Sequence, residues 1–105
     1  MPAALFRLAI TAAALASAPA LADTNARVAR SLAATCANCH GTNGASAGGF
    51  ESLAGMPQAD LVRKMEEFRS GARPASVMQQ LAKGYTPEQV DLIAGWFAAQ
   101  KPAGR

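Results

Sequence analysis

This chain of 105 residues is poor in cysteine, histidine and aromatic residues, with two cysteines, one histidine, one tryptophan and one tyrosine. Two cysteines form at most one intramolecular disulfide, which excludes a disulfide-rich secreted scaffold. The length leaves room for one domain and excludes a large enzyme with a substrate domain of its own.

The chain also lacks a long hydrophobic run and a cluster of one charge. Its ten basic and seven acidic residues are spread along the sequence, and no basic stretch is interleaved with aromatics. Nucleic-acid binding is therefore not expected. No segment after Asp23 reaches the roughly 20 apolar residues that a membrane-spanning helix needs, so no span is expected beyond that point.

Apolar residues are concentrated at the amino terminus, where they make up 17 of the first 22 positions. Arg7 precedes an uncharged run over 8–15, and the small residues Ala20-Leu21-Ala22 follow it. This order is typical of a secretory signal peptide, and the run is too short to favour the alternative of a retained anchor. We predict a signal peptide over 1–22, cleaved after Ala22, and one periplasmic domain over 23–105.

Helical patterns dominate the predicted mature part, and no strand pattern or repeat occurs in it. Asp23 or Thr24 is a candidate cap for a helix over about 25–35, and Pro57 begins a second helix that Gly71 ends. The sequence Thr86-Pro87-Glu88-Gln89 predicts a capping box and a third helix, which buries Ile93, Trp96 and Phe97. The segment 72–84 admits only a short helix, near 76–82, and 36–49 is predicted as a loop. We expect an all-α domain of three to four helices, whose long loops indicate that something other than protein fills its middle.

The sequence Cys36-Ala37-Asn38-Cys39-His40 is the attachment signature of c-type haem. Two thiols three positions apart reach the two vinyl groups on one porphyrin edge and form thioether bonds. The imidazole of His40 then lies under the ring plane and ligates the iron. We predict one covalent haem c held by Cys36 and Cys39, with His40 as the proximal ligand.

Three alternatives for the same motif are less well supported. A zinc site needs four ligands, and the chain offers only the two cysteines and His40. A thioredoxin-like redox pair needs a β-α-β context that is missing, and would leave His40 without a role. A structural disulfide between Cys36 and Cys39 would close too small a loop to stabilise the domain.

The sixth iron ligand has to come from another residue type, because His40 is the sole histidine. Methionine is the usual partner in electron carriers. Met65 shares an apolar helical stripe with Leu61, which favours a role in the core. Met78 lies in the irregular stretch between the last two helices and is the predicted distal ligand, with Met56 as the alternative.

Further residues give the chain a resemblance to class I c-type cytochromes of the bacterial periplasm. They are the stretch 36–44, Ser52-Leu53-Ala54-Gly55, the stretch 68–73, Val77-Met78, the stretch 82–89 and Trp96-Phe97-Ala98. Over 31–99 the sequence is similar to the cytochrome subunit of flavocytochrome c sulfide dehydrogenase, and more loosely to each half of di-haem periplasmic cytochromes. The resemblance implies the class I cytochrome c fold and supports Met78 as the distal ligand.

One residue departs from the pattern of this family. The family usually has proline before the Ser-Leu-Ala-Gly stretch, where a backbone carbonyl accepts the hydrogen bond of the proximal imidazole. Glu51 occupies that position here. Its carbonyl is still available, but the loop is expected to be less rigid, which affects the tuning of His40.

Three functions fit these features, and the chain is not expected to be an enzyme by itself. The first is electron transfer as the haem subunit of a sulfide-oxidising flavoprotein, with another redox protein as acceptor; the second is a free electron shuttle. The third, a haem enzyme or gas sensor with an open sixth position, usually needs a polar distal pocket. A dedicated subunit should carry an apolar patch near the haem edge. Phe50 and Tyr85 are predicted to pack on the haem rather than to dock a partner. A shuttle more often presents a charged ring, for which the candidates are Arg63, Lys64, Arg69, Arg73 and Lys83, unless these simply cover solvated helix faces.

Overall fold

The computed structural model describes residues 18–102, and within this range the chain is helical and contains no strand. Its five helices are α1 (Ala18–Ala34), α2 (Ala37–His40), α3 (Gln58–Ser70), α4 (Met78–Ala82) and α5 (Pro87–Ala98). The expected all-α class is confirmed. No helix in this part of the chain is both long and apolar enough to span a bilayer.

Helix α1 begins earlier than the sequence predicts. Its described part runs from Ala18, so that Asp23 lies inside the helix instead of capping it and forms an ion pair with Arg27 at 2.7 Å. Alanine-rich sequence favours helix. Most of the predicted signal peptide, residues 1–17, lies outside the described residues, and the predicted cleavage point after Ala22 falls within α1.

Helix α3 has the ends that the sequence predicts. The carbonyl of Pro57 accepts hydrogen bonds from the backbone N–H groups of Asp60 and Leu61 at 3.0 and 3.2 Å. Gly71, in the left-handed region with φ 83°, ends the helix. Leu61 and Met65 are buried, which agrees with the predicted apolar stripe.

Helix α5 begins with the predicted capping box. The backbone N–H of Gln89 donates to Thr86 Oγ1 at 3.1 Å, and the backbone N–H of Thr86 donates to Gln89 Oε1 at 2.9 Å. Ile93 and Phe97 are each 1% exposed, whereas Trp96 is only partly buried. The helix therefore turns its predicted apolar side into the core.

The core is small and is formed mainly by residues of α3 and α5, with three alanines among its seven members. Its buried members are Ala33, Leu61, Met65, Ala82, Ile93, Ala94 and Phe97. Small side chains at positions 33 and 94 allow α1 and α5 to pack closely.

The segment predicted as a loop over 36–49 contains regular structure at its start. Residues 37–40 form the single helical turn α2, and Thr42–Gly44 forms a 3-10 turn. The backbone N–H of His40 donates to the Cys36 carbonyl at 2.9 Å, which closes this turn. A four-residue helix is too short to produce a hydrophobic period, so the prediction was wrong here.

Candidate functional site

One cavity of about 260 Å³ collects the residues that the sequence singles out. The end of α1 and the turn α2 contribute Cys36, Cys39 and His40, and α4 contributes Met78. Phe50 and Tyr85, predicted to pack on a haem, line the same cavity. Residues up to 49 positions apart are thus brought to one site.

The turn α2 sets the relative orientation of the two thiols and the imidazole. Cys36 has helical dihedral angles, φ −75° and ψ −24°, and so extends this turn by one residue. Positions 36, 39 and 40 are therefore spaced i, i+3 and i+4, which places their side chains on one helical face. Both thiols are free, and Cys36 is the more buried of the two.

The cavity wall favours the neutral form of one thiol. Burial raises the pKa of Cys36 above its usual value, and the neighbouring Cys39 raises it further. The Thr35 hydroxyl, whose Oγ1 lies 3.9 Å from Cys36 Sγ, acts in the opposite direction. Burial is the largest of these effects, so before haem attachment the pKa of the Cys36 thiol lies above its usual value.

The imidazole of His40 is oriented by its neighbours in the loop that precedes α3. Its Nδ1 lies 2.6 Å from the backbone carbonyl oxygen of Glu51. A carbonyl oxygen only accepts, so Nδ1 carries the proton and Nε2 has a lone pair free for a metal. The ring of Phe50 meets the imidazole edge-on, with centroids 6.0 Å apart. The family's carbonyl contact is therefore kept although glutamate replaces proline.

Three methionines line the cavity: Met56, Met65 and Met78. Met65 is 8% exposed and belongs to the core, as predicted. Met56 and Met78 are partly buried and pack against that core. The donor set is thus an imidazole nitrogen with soft sulfur atoms in an apolar lining, which suits haem iron better than a cation that prefers oxygen.

A hydrogen bond that sequence reasoning missed joins two walls of the cavity. Tyr85 Oη lies 2.8 Å from Thr35 Oγ1, and Thr35 donates its own hydroxyl proton to the Leu32 carbonyl at 2.9 Å. Tyr85 is therefore the donor to Thr35. No local pattern connects two residues 50 positions apart, so this contact follows only from the packing.

Glu67 neutralises two of the cations predicted for a charged ring. Its carboxylate accepts from Arg63 Nη1 at 2.8 Å and forms an ion pair with Arg73 Nη2 at 2.7 Å. The hydrogen bonds from Arg73 and Arg63 hold the pKa of Glu67 below its usual value. Arg73 also lies over the ring of Phe68, 5.6 Å from its centroid.

Lys64 is the third paired cation, since its Nζ forms an ion pair with the carboxylate of Glu51. Of the five candidates, only Arg69 and Lys83 form no ion pair with the part of the chain that the structure describes. Among residues 18–102 no group of three or more His, Cys, Asp or Glu side chains could hold a metal ion without a cofactor.

Comparison with known proteins identifies the family. The Cytochrome c family model matches residues 26–99. The chain is 39% identical over 66 residues to the cytochrome subunit of sulfide dehydrogenase from Chlorobaculum tepidum, covering 63% of this chain and 60% of that protein. It is 37% identical over 75 residues to a thiosulfate dehydrogenase electron acceptor from Thiomonas intermedia, covering 70% and 35%. It is 33% identical over 78 residues to cytochrome c4 from Pseudomonas aeruginosa, covering 73% and 39%.

The chain thus spans 60% or less of the length of these three relatives. The family match is broader, because it extends from α1 through the cavity residues to the end of α5. Since the family model covers well over half of the chain, this protein belongs to the cytochrome c family and is an electron carrier with covalently bound haem c.

Proposed function

We propose that this cytochrome is the electron-accepting haem subunit of a flavocytochrome c sulfide dehydrogenase. In this proposal a flavoprotein oxidises sulfide, and this chain would carry the electrons, one at a time, from the flavin to another redox protein. The observation that carries it is the pairing of the surface cations, supported by the 39% identity to a sulfide dehydrogenase cytochrome subunit.

The haem site assigned within this proposal uses four side chains. Cys36 and Cys39 form the thioether bonds, and His40 binds the iron through Nε2 because Nδ1 donates to the Glu51 carbonyl. Met78 is the distal ligand, with Met56 as the alternative, since both sulfur atoms belong to residues that line the cavity. A thioether ligand favours reduced iron and raises the potential, which suits a group that accepts electrons. Haem c supplies the one-electron couple.

The surface charges favour a lasting interface over brief steered encounters. Steering needs an excess of one charge sign near the docking face. Here Glu67 lies between Arg63 and Arg73, and Glu51 is paired with Lys64, so three of five candidate cations have an anion beside them.

Apolar side chains at the cavity support the same interface. Four large apolar residues are exposed within the described chain: Val28, Phe50, Val77 and Leu81. The last three line the cavity, whereas Val28 does not. Phe50 is predicted to pack on the haem, so Val77 and Leu81 are the residues that would form an apolar patch at its edge, which is typical of a protein interface.

Periplasmic export with cleavage after Ala22 belongs to the same proposal. The side chains over 22–28 are all exposed, and the next residue, Ala29, is buried. Loss of residues 1–22 would therefore remove none of the core that the structure describes. Intact-mass measurement of the haem-loaded protein should give an amino terminus at Asp23, and a retained amino terminus would contradict the cleavage.

Native purification tests the partner. We expect the cytochrome to elute with a flavin-containing protein at low salt and at about 1 M NaCl, where charges are screened beyond roughly 3 Å. Elution alone, without flavin, would favour the free shuttle.

Matched variants locate the interface. Leu81→Glu should release the flavoprotein, whereas Val28→Glu should not, because Val28 is similarly exposed (43% against 48%) but lies away from the cavity. Absorption spectra must first establish that both variants keep their haem. Equal retention of the flavoprotein by the two variants would contradict an interface at the cavity.

A further inference from the structure

The carbonyl group that orients His40 belongs to Glu51, at a position where the family usually has proline. Proline at position 51 would hold φ near −65° through its ring, whereas glutamate leaves that torsion free. Yet Glu51 O lies 2.6 Å from His40 Nδ1, a short and directed contact. Another feature of this chain therefore has to hold residue 51 in place.

The loop is anchored on its carboxyl-terminal side. The backbone N–H groups of Leu53 and Ala54 both donate to the Gly44 carbonyl, at 2.8 and 3.2 Å. Ser52 Oγ accepts from the backbone N–H of Ser46 at 3.0 Å. These bonds fix residues 52–54 against the 3-10 turn and the residues that follow it. They do not hold residue 51 itself, whose position has to be fixed by other contacts.

The amino-terminal side of residue 51 has little to hold it. Gly48 and Gly49 have no side chains, and nothing lies within 4 Å of where a Cβ would be. Phe50 touches the imidazole by its edge but is itself 58% exposed. Apart from the backbone N–H of Gly48, which donates to Ser46 Oγ at 3.2 Å, contacts within the protein therefore restrain this side of the loop little.

Helix α3 supplies the missing restraint through Lys64. Its Nζ forms an ion pair with Glu51 Oε1, and its side chain is only 22% exposed, compared with 54% for Glu51. The lysine is part of a 13-residue helix whose neighbouring residues Leu61 and Met65 are buried in the core. The pair thus connects residue 51 to the rigid body of the protein.

We propose that Lys64 and the Glu51 carboxylate are a positioning pair, which holds the Glu51 carbonyl on His40 Nδ1 in place of the family's proline ring. The inference rests on the proposed role of His40 as the proximal ligand. When the ring N–H that does not bind the metal donates to a carbonyl oxygen, the hydrogen bond fixes the imidazole ring and raises its basicity. Loosening the pair should therefore weaken the donation of the imidazole to the iron.

The test measures the exchange of the His40 Nδ1 proton with solvent, by NMR on the reduced, haem-loaded protein. A partly exposed ion pair restrains its partners by a modest amount. We therefore expect the His40 Nδ1 proton to exchange about two- to fivefold faster in Lys64→Met and in Glu51→Gln than in the native protein. The exchanged double variant Glu51→Lys with Lys64→Glu restores the pair at the same net charge and should return the rate toward the native value. Arg69→Met removes one positive charge from the same helix without touching the loop and should leave the rate unchanged.

Ionic strength gives a second measurement, which needs no variant. Raising NaCl from about 0.01 M to 1 M shortens the screening length from roughly 30 Å to 3 Å and should accelerate exchange in the native protein but not in Lys64→Met. Equal rates in Lys64→Met and Arg69→Met, or a native rate that salt does not change, would overturn the positioning role. A wild-type spectrum in which the His40 ring protons lack the ring-current shift of a haem ligand would instead refute the proposed ligation.

Discussion

Replacing Gly44 by alanine should destabilise the protein strongly, because there is no room for a methyl group. Gly44 has φ 79°, and a Cβ there would lie 2.7 Å from Phe97 Cδ1 and 2.8 Å from the backbone nitrogen of Ala54. Phe97 is 1% exposed and cannot move aside, and Ala54 N donates to the Gly44 carbonyl at 3.2 Å. The substitution would therefore push the loop that carries the Glu51 carbonyl away from α5.

Two costs add up at this position. A side chain in the left-handed region costs about 1–2 kcal/mol. Forcing a methyl group into a packed core costs about 1–3 kcal/mol more. We expect Gly44→Ala to lower the free energy of unfolding by about 2–5 kcal/mol on these values.

Gly49 offers a matched control, because its φ of 81° is nearly the same while nothing lies within 4 Å of its Cβ position. Gly49→Ala should show only the backbone cost. Unfolding of both haem-loaded variants in guanidinium chloride, followed by far-ultraviolet circular dichroism, measures the difference. If Gly44→Ala were within about 0.5 kcal/mol of Gly49→Ala, the packing argument would be refuted.

Three further changes test the site and the surface. Met78→Ala should leave the haem attached but lower the potential and allow carbon monoxide to bind, whereas Met56→Ala should do neither; the reverse result in absorption spectra and potentiometry would assign Met56. Tyr85→Phe removes the 2.8 Å hydrogen bond to Thr35 and should lower the free energy of unfolding by about 0.5–1.5 kcal/mol in denaturant titrations. An unchanged free energy of unfolding would contradict a stabilising role for this bond. Glu67→Gln should destabilise the protein at neutral pH, because the arginines hold the pKa of Glu67 below its usual value of 4.5. The stabilisation by the Glu67 carboxylate is complete above pH 4.5 and is lost as the pH falls through the lowered pKa of Glu67 in the folded protein. Melting curves measured across pH test this prediction. A difference in melting temperature between Glu67→Gln and the native protein that persisted in strong acid would show that the stabilisation does not come from the charge of Glu67.

The elements that local sequence specifies were predicted well. Helix α3 has its ends at Pro57 and Gly71, and the capping box at Thr86 begins α5, because these signals act within one turn of the helix. The short turn α2 and the early start of α1 were not predicted. A four-residue helix carries no period, and the cap expected near Asp23 competes with an alanine-rich helix that continues through it.

Long-range contacts between charged side chains were not predicted from the sequence. Nothing in it indicates that Lys64 pairs with Glu51, or that Arg73 joins the i, i+4 pair of Arg63 and Glu67 on α3. Charged residues are abundant on any surface, and only the packing of α3 against the loop determines which of them meet.

The sequence by itself predicted the cofactor and the family of this protein, because the attachment signature of c-type haem lies within one stretch of five residues, Cys36 to His40. The tertiary structure decided which methionines share the cavity of the imidazole and, within residues 18–102, which cations are paired with an anion. These are contacts between residues far apart in the chain. Their distances follow from how α1, α3 and α5 pack round a small core, a property that no local spacing encodes.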